Sequence, residues 1–285
     1  MAIVGVLFDG FAYGMLLFLL SMGLSVTLGM MNFVNLAHCA FAMLGGYVTV
    51  TLMNRLEWPF IATLPVAFVA AALASVLFER TLYRRLYRAS DLDQVLLTIG
   101  ITFMSVAAAA YVYGTVQQPV QLPSYLRGYV TIIGVNFSAY RLFLVGISLV
   151  ITLVLVLALE RTRYGAQVRA AVDNQRMARG LGIDVDGIFA VTFALGSGLA
   201  GLGGALAIDI VGLDPSFAFT FLIYVLIVVS VGGLGSIGGS FAAASLIGIT
   251  DVAGKYYVPE LGAFLIYLVM LAVLMWRPAG LFGRR

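Results

Sequence analysis

Arg141-Leu-Phe-Leu-Val-Gly-Ile-Ser-Leu-Val-Ile-Thr-Leu-Val-Leu-Val-Leu-Ala-Leu159 contains no charged residue between Arg141 and Glu160. A run of about 20 apolar residues matches the thickness of a bilayer's hydrocarbon core when wound as a helix. The run is continuously apolar and does not alternate, so it is not the strand of a membrane barrel. Similar stretches recur at 8–30, 34–53, 59–79, 94–114, 188–211, 218–234, 238–254 and 260–276. The sequence therefore predicts an all-α, polytopic transmembrane helix bundle of about 8–9 segments, forming a single membrane domain over 1–285.

Composition supports this reading. The chain is 62% hydrophobic and 10% charged, against about a quarter charged in a soluble domain. Too few polar groups exist to cover a water-facing surface, and lipid is the expected solvent. The single cysteine, Cys39, excludes an internal disulfide framework, and one histidine, His38, builds no metal cluster alone. A net charge of +3 gives no case for nucleic acid. The opening Met1-Ala2-Ile3-Val4-Gly5 lacks a basic region and reads as the start of the first membrane segment.

The basic residues set an expected orientation. If every segment crosses, one side holds Arg80, Arg84, Arg85, Arg88, Arg161, Arg163, Arg169, Arg176, Arg179, Arg277, Arg284 and Arg285, twelve of the sixteen cations. Arg55, Arg127, Arg141 and Lys255 fall on the other. The excess of Lys and Arg on cytoplasmic loops then places the amino terminus outside and the carboxyl terminus inside. The short stretches 218–234 and 238–254 are either two full crossings or a broken re-entrant pair, joined by Gly232-Gly233-Leu-Gly235-Ser236-Ile237-Gly238-Gly239.

Two loops differ in character. Residues 115–140 carry Pro119 and Pro123 and are long enough for a cap or a short helix outside the membrane. Residues 160–187 form a cytoplasmic loop in which Tyr164–Leu181 has no proline, with Val168, Ala171, Val172, Ala178 and Leu181 roughly on one face. Gly180 and Gly182 supply its stop, so a short helix lying along the membrane face is predicted.

Several motifs are weighed against plainer explanations. Gly196-Ser-Gly198-Leu-Ala-Gly201 and Gly233-Leu-Gly235-Ser-Ile-Gly238 imitate a dinucleotide fingerprint, but neither follows a strand in a soluble βαβ unit. Close helix packing through small residues accounts for both. Gly248 to Lys255 has one residue too many for a phosphate loop, and Tyr256 stands where Ser or Thr would hold magnesium. No ATP site is expected in this chain. Asn32, Asn35 and His38 recur every third residue and share a face if helical, which reads either as a translocation path or as hydrogen bonding between helices. Of the acids Asp9, Asp209 and Asp251, Asp209 is the preferred pathway candidate.

The chain resembles the membrane subunits of Liv-type ABC importers for branched-chain amino acids, the smaller of the two permease types. The resemblance rests on Gly29-Met-Met-Asn32 with Ala37-His38 and Gly45-Gly46-Tyr47; on Arg163-Tyr164-Gly165 and Arg169-Ala170-Ala171 through Gly182-Ile183; on the Gly-rich joint 232–239; and on Arg277-Pro278-Ala-Gly280-Leu-Phe-Gly283-Arg284. It implies a bacterial or archaeal inner-membrane complex with a second homologous permease, two cytoplasmic ATPase subunits and an extracytoplasmic substrate-binding protein. ATP and magnesium would be bound by the ATPases, with no cofactor in this chain. The helix within 160–187 becomes the coupling helix, through Arg169, Val172, Asp173, Arg176, Met177 and Leu181.

Relatives carrying urea, short amides or aromatic acids keep other cargoes open. A stand-alone carrier or channel for a small polar solute is the alternative of another class. An intramembrane enzyme lacks a catalytic set: one His, one Cys and no paired acids at helical spacing.

Overall fold

The computed structural model describes residues 2–31, 33, 35–86, 89–132 and 134–283. Helix α1 spans Ala2–Met31, α2 His38–Leu56, α3 Phe60–Phe78, α4 Asp91–Tyr113 and α5 Ala139–Arg161. The short helices α6, Arg163–Asp173, and α7, Gln175–Gly180, follow. Then come α8, Val185–Val211, α9, Phe217–Gly232, α10, Ile237–Tyr257, and α11, Gly262–Trp276. Six of these, α1, α3, α4, α5, α8 and α10, are long and apolar enough to cross a membrane, and α9 and α11 are shorter apolar helices. With the more polar α2, the architecture is the expected polytopic all-helical bundle.

Helix α8 is the axis. It packs against α1, α2 and α3, and 78% of its most apolar stretch is buried. Small residues make this possible. A Cβ on Gly204 would strike the carbonyl of Ala42, one on Gly45 the backbone of Gly201, and one on Gly23 the backbone of Gly196 and the ring of His38. Backbones meet directly, as membrane helices do where Gly and Ala line the interface. The fingerprint-like Gly196, Gly198 and Gly201 all lie inside α8, Gly196 against the Gly23 backbone, Gly198 against the Phe68 ring and Gly201 against Ala71 and Ala67.

Helices α1 and α10 form the second seam. Gly10 meets Ile249, Gly14 meets Ala244, Ser240 donates to Ser25 at 2.9 Å, and Gly29 meets Gly235. The contacts run antiparallel along almost all of α1, so α10 is a full-length element and not half of a shallow hairpin. Between α9 and α10 the chain turns at Gly233 (φ 95°) and Gly235 (φ 75°), a left-handed backbone that favours glycine.

Residues 115–138 contain a β-hairpin that the sequence reading did not include. After a single turn at Ser124–Leu126, the strands β1, Tyr129–Ile132, and β2, Val135–Ser138, form an antiparallel hairpin pairing Tyr129 with Ser138. Val, Tyr, Thr and Phe around Gly134 favour strand and turn over helix. The loop is tied down by Asn54, which donates to Pro119 O at 3.0 Å, and by Gln118 N, which donates to Leu213 O at 2.8 Å.

Candidate functional site

The expected continuous helix over 34–53 is broken at its start. Residues 33 and 35–37 are not helical, and α2 begins only at His38. Asn35 is the cause: its Oδ1 accepts the Ala37 N–H at 3.1 Å, a local turn that competes with the helix. Asn35 and His38 therefore do not share a helical face, and Asn32 lies outside the described residues.

The break sits deep in the bundle. The His38 Nε2 lies 2.9 Å from the carbonyl of Leu20, a residue near the middle of α1. Leu20 is eleven residues before the end of α1, roughly 17 Å along the axis. His38 thus lies back beside the middle of α1, not beyond its end. Phe33, Asn35 and Ala37 are buried, and Thr102 of α4 donates to Leu36 O at 3.3 Å. Irregular backbone at membrane depth persists only where protein or a water-filled cavity surrounds it. Among the described residues, Asn35 Nδ2 and His38 Nδ1 are buried without a hydrogen-bond partner. One is a donor and the other, with the proton on Nε2, an acceptor, so a mid-depth break carries two unused polar groups beside the amino-terminal end of α2.

An aromatic cluster links this break to the end of the bundle that carries residues 160–187. Phe33 lies 5.3 Å from Tyr83, and Tyr83 lies 5.3 Å from Phe193 of α8. Tyr83 belongs to a π-helical turn, Glu79–Tyr83, that continues α3. The next residue is Arg84, which pairs with Asp186 at 3.6 Å, while Arg179 pairs with the same carboxylate at 2.7 Å.

The segment 160–187 differs from the single predicted helix in one respect. Asn174 interrupts it, capping α7 through Oδ1 and the Met177 N–H at 2.9 Å. Asp173 and Arg176 thus stand on different helices, and the ion pair of this segment is Arg179–Asp186. Val168, Ala171 and Ala178 pack inward on Val185, Ile188 and Phe189, so much of the predicted apolar stripe is consumed within the chain. The Arg169 guanidinium donates to the carbonyl of Leu159 and pins α6 under α5. Tyr164 bonds Thr192 at 3.0 Å, and burial raises its pKa. Val172 is half-buried, whereas Met177 and Leu181 stay 66% and 77% exposed. Gly182 ends the segment with φ 81°, as the sequence suggested.

Spatial convergence of the sequence motifs was not readable beforehand. Gly29, Arg169, Val172, Asp173, Leu234, Gly235, Ser236 and Phe282 line one cavity of about 430 Å³. The end of α1, the loop helix, the Gly-rich joint and the carboxyl-terminal motif therefore meet at one place. Leu281 N and Phe282 N donate to Val231 O and Gly232 O, tucking the carboxyl-terminal motif under the joint. The only sequence signal was glycine at both partners, Gly233 against Gly283.

Asp209 lies apart from Asn35 and His38. It is exposed near the far end of α8, thirteen residues or about 20 Å beyond Gly196, which neighbours the His38 level. Asp251 is buried, with Lys255 answering it at 2.6 Å. Asp9 pairs with Arg141.

A helical membrane bundle with irregular backbone at its centre is the architecture of many transporters. The chain belongs to the family described as the permease component of branched-chain amino acid transport systems, whose pattern matches residues 6–274. It is 25% identical over 291 residues to the high-affinity branched-chain amino acid transport system permease protein BraD of Pseudomonas aeruginosa, covering 98% of this chain and 95% of that one. Over 294 residues it is 28% identical to the permease protein LivH of Escherichia coli K12, covering 98% and 94%. A probable LivH of Methanocaldococcus jannaschii is 28% identical over 290 residues, covering 95% and 90%. No solved structure matches. The chain is a multi-pass transport subunit and not an enzyme.

Proposed function

We propose that this chain moves branched-chain amino acids across the inner membrane as one permease of an importer. It pairs with a second homologous permease, takes its cargo from an extracytoplasmic binding protein, and is driven by two cytoplasmic ATPases that bind ATP and magnesium. The observation that carries this reading is the convergence at one cavity of the loop helix, the end of α1 and the Gly-rich joint. A push on α6 and α7 reaches α1 directly, and reaches the central break through Asp186, Arg84, Tyr83 and Phe33. Exposed Met177 and Leu181 are the apolar anchors offered to an ATPase groove, with Arg176 and Asp173 at the rim. Asn35 and His38 mark the middle of the pathway, Asn32 belongs with them by sequence, and Asp209 marks the outer mouth. The amino terminus is outside and the carboxyl terminus inside, by the distribution of arginines.

Purification of the tagged chain from its native membrane tests the assembly. Two ATPases and a second permease should accompany it, and a cysteine at Asp173 should label only from the cytoplasm while one at Pro123 labels only from outside. Recovery of the chain alone with unassisted transport in liposomes would favour a stand-alone carrier, and cytoplasmic labelling at Pro123 would reverse the orientation.

A further inference from the structure

The end of the bundle opposite α6 and α7 holds two adjoining cavities. The larger, about 810 Å³, is lined by Asn54, Glu57, Trp58 and Arg127 among others. The smaller, about 310 Å³, is lined by Arg127, Ser138, Tyr140 and Asp209 among others. Gln121, Leu122 and Arg127 belong to both, so Arg127 stands in the shared wall with a carboxylate available on either side.

The charges at this end divide into two sets. Asp9 is taken by Arg141, and Asp251 by Lys255. Arg141, the cation whose field reaches Asp209, is therefore already engaged. Among the described residues, Glu57, Arg127 and Asp209 form no ion pair, and Arg127 holds only the side-chain oxygen of Gln121 at 3.4 Å. A cation and an acid lining one recess without satisfying each other leave both signs free for a ligand. The recess is firmly built: Tyr140 is buried and donates to Leu206 O at 2.7 Å, and Asp209 projects from α8, the rigid axis. Its volume is at the lower end of the range for small-ligand pockets.

We propose that the smaller cavity is an outer station for a zwitterionic amino acid, with Arg127 receiving its α-carboxylate and Asp209 its α-ammonium. A guanidinium suits a carboxylate through paired N–H donors, and an aspartate suits an ammonium as a charge-assisted acceptor. The station lies at the outer end of α8, whose length leads down to the break at Asn35 and His38. It deepens the amino-acid permease reading and rests on it. It also explains why Asp209 lies about 20 Å from the other pathway residues: it serves entry.

Binding of L-leucine to the full transporter in nanodiscs, without its binding protein, tests the station. Leucinamide, lacking the carboxylate, and 4-methylpentanoate, lacking the ammonium, serve as competitors. Leucine should bind, neither analogue should displace it at equal concentration, and Arg127→Gln or Asp209→Asn should each weaken binding about tenfold or more, as expected for loss of one charged hydrogen-bonding partner. Glu260→Gln, an exposed acid in the α10–α11 turn, should bind as the unaltered protein does. Absent leucine binding, or unchanged binding in both variants, overturns the station. Retained leucine binding with lost capture of the loaded binding protein overturns it too, and makes the recess a docking surface. Failure of the unaltered transporter to import leucine from its loaded binding protein is a separate result, which removes the amino-acid reading itself.

Discussion

Helices α8 and α5 are both long enough and apolar enough to cross a membrane, yet 78% of one is buried and 11% of the other. The more apolar of the two is the one on the outside. Helix α5 is rich in Leu and Val and buries only the stripe Tyr140, Leu144 and Ser148 against the bundle. Helix α8 carries Gly196, Gly198, Gly201, Gly203 and Gly204 among Ala and Ser, and its buried positions go all the way round. In lipid a large apolar side chain gains nothing by moving inward, because the acyl chains solvate it equally well. Close backbone approach and dispersion contacts decide what lies at the centre.

Matched glycine substitutions break or sharpen that contrast most strongly. Gly204→Leu must displace the Ala42 backbone, and should cost about 3 kcal/mol or more, leaving little folded protein in detergent. Gly146→Leu in α5 meets nothing within 4 Å and should leave melting temperature and uptake unchanged. Equal tolerance at the two positions, read by thermal unfolding of the purified complex, would mean that α8 is not the axis.

A smaller effect is expected at the central break. His38→Ala or Asn35→Ala leaves the Leu20 carbonyl or the Ala37 N–H without its partner, at a cost of about 1–3 kcal/mol, and should lower uptake several-fold while protein level falls less. Parallel loss of level and uptake, measured by quantitative blotting beside radiolabelled uptake, would assign the pair to folding alone.

Much of this architecture was legible in the residues. Apolar run length gave the crossings, and Gly-x-Gly spacing inside an apolar run gave close packing in place of a nucleotide site. Gly180 and Gly182 marked the end of the loop helix. Three features stayed hidden. The break before His38 depends on a side chain, Asn35, bonding two residues ahead, which competes with an otherwise unbroken apolar pattern. The interruption of the loop helix depends on Asn174 acting as a cap, although nothing but its residue type suggested one. The meeting of Gly29, Asp173, Gly235 and Phe282 is a long-range contact, invisible to periodicity, which reports only the face of one helix at a time. A polar residue unusual for its surroundings, His38, stood out in the sequence; Arg127 did not, being an ordinary loop arginine whose place between two cavities only the fold reveals.

Under the proposed function, energy enters this chain through α6 and α7. Their buried faces already serve the fold, which leaves Met177 and Leu181 as the apolar contacts available to an ATPase, each contributing roughly 1.5–3 kcal/mol on burial before ordering costs. Met177→Asp changes an exposed side chain and should leave the bundle intact. ATP-driven leucine uptake by the reconstituted transporter, measured with ATPase co-purification, should be abolished in this variant while the binding protein still holds its ligand. Normal uptake and normal co-purification would contradict the account.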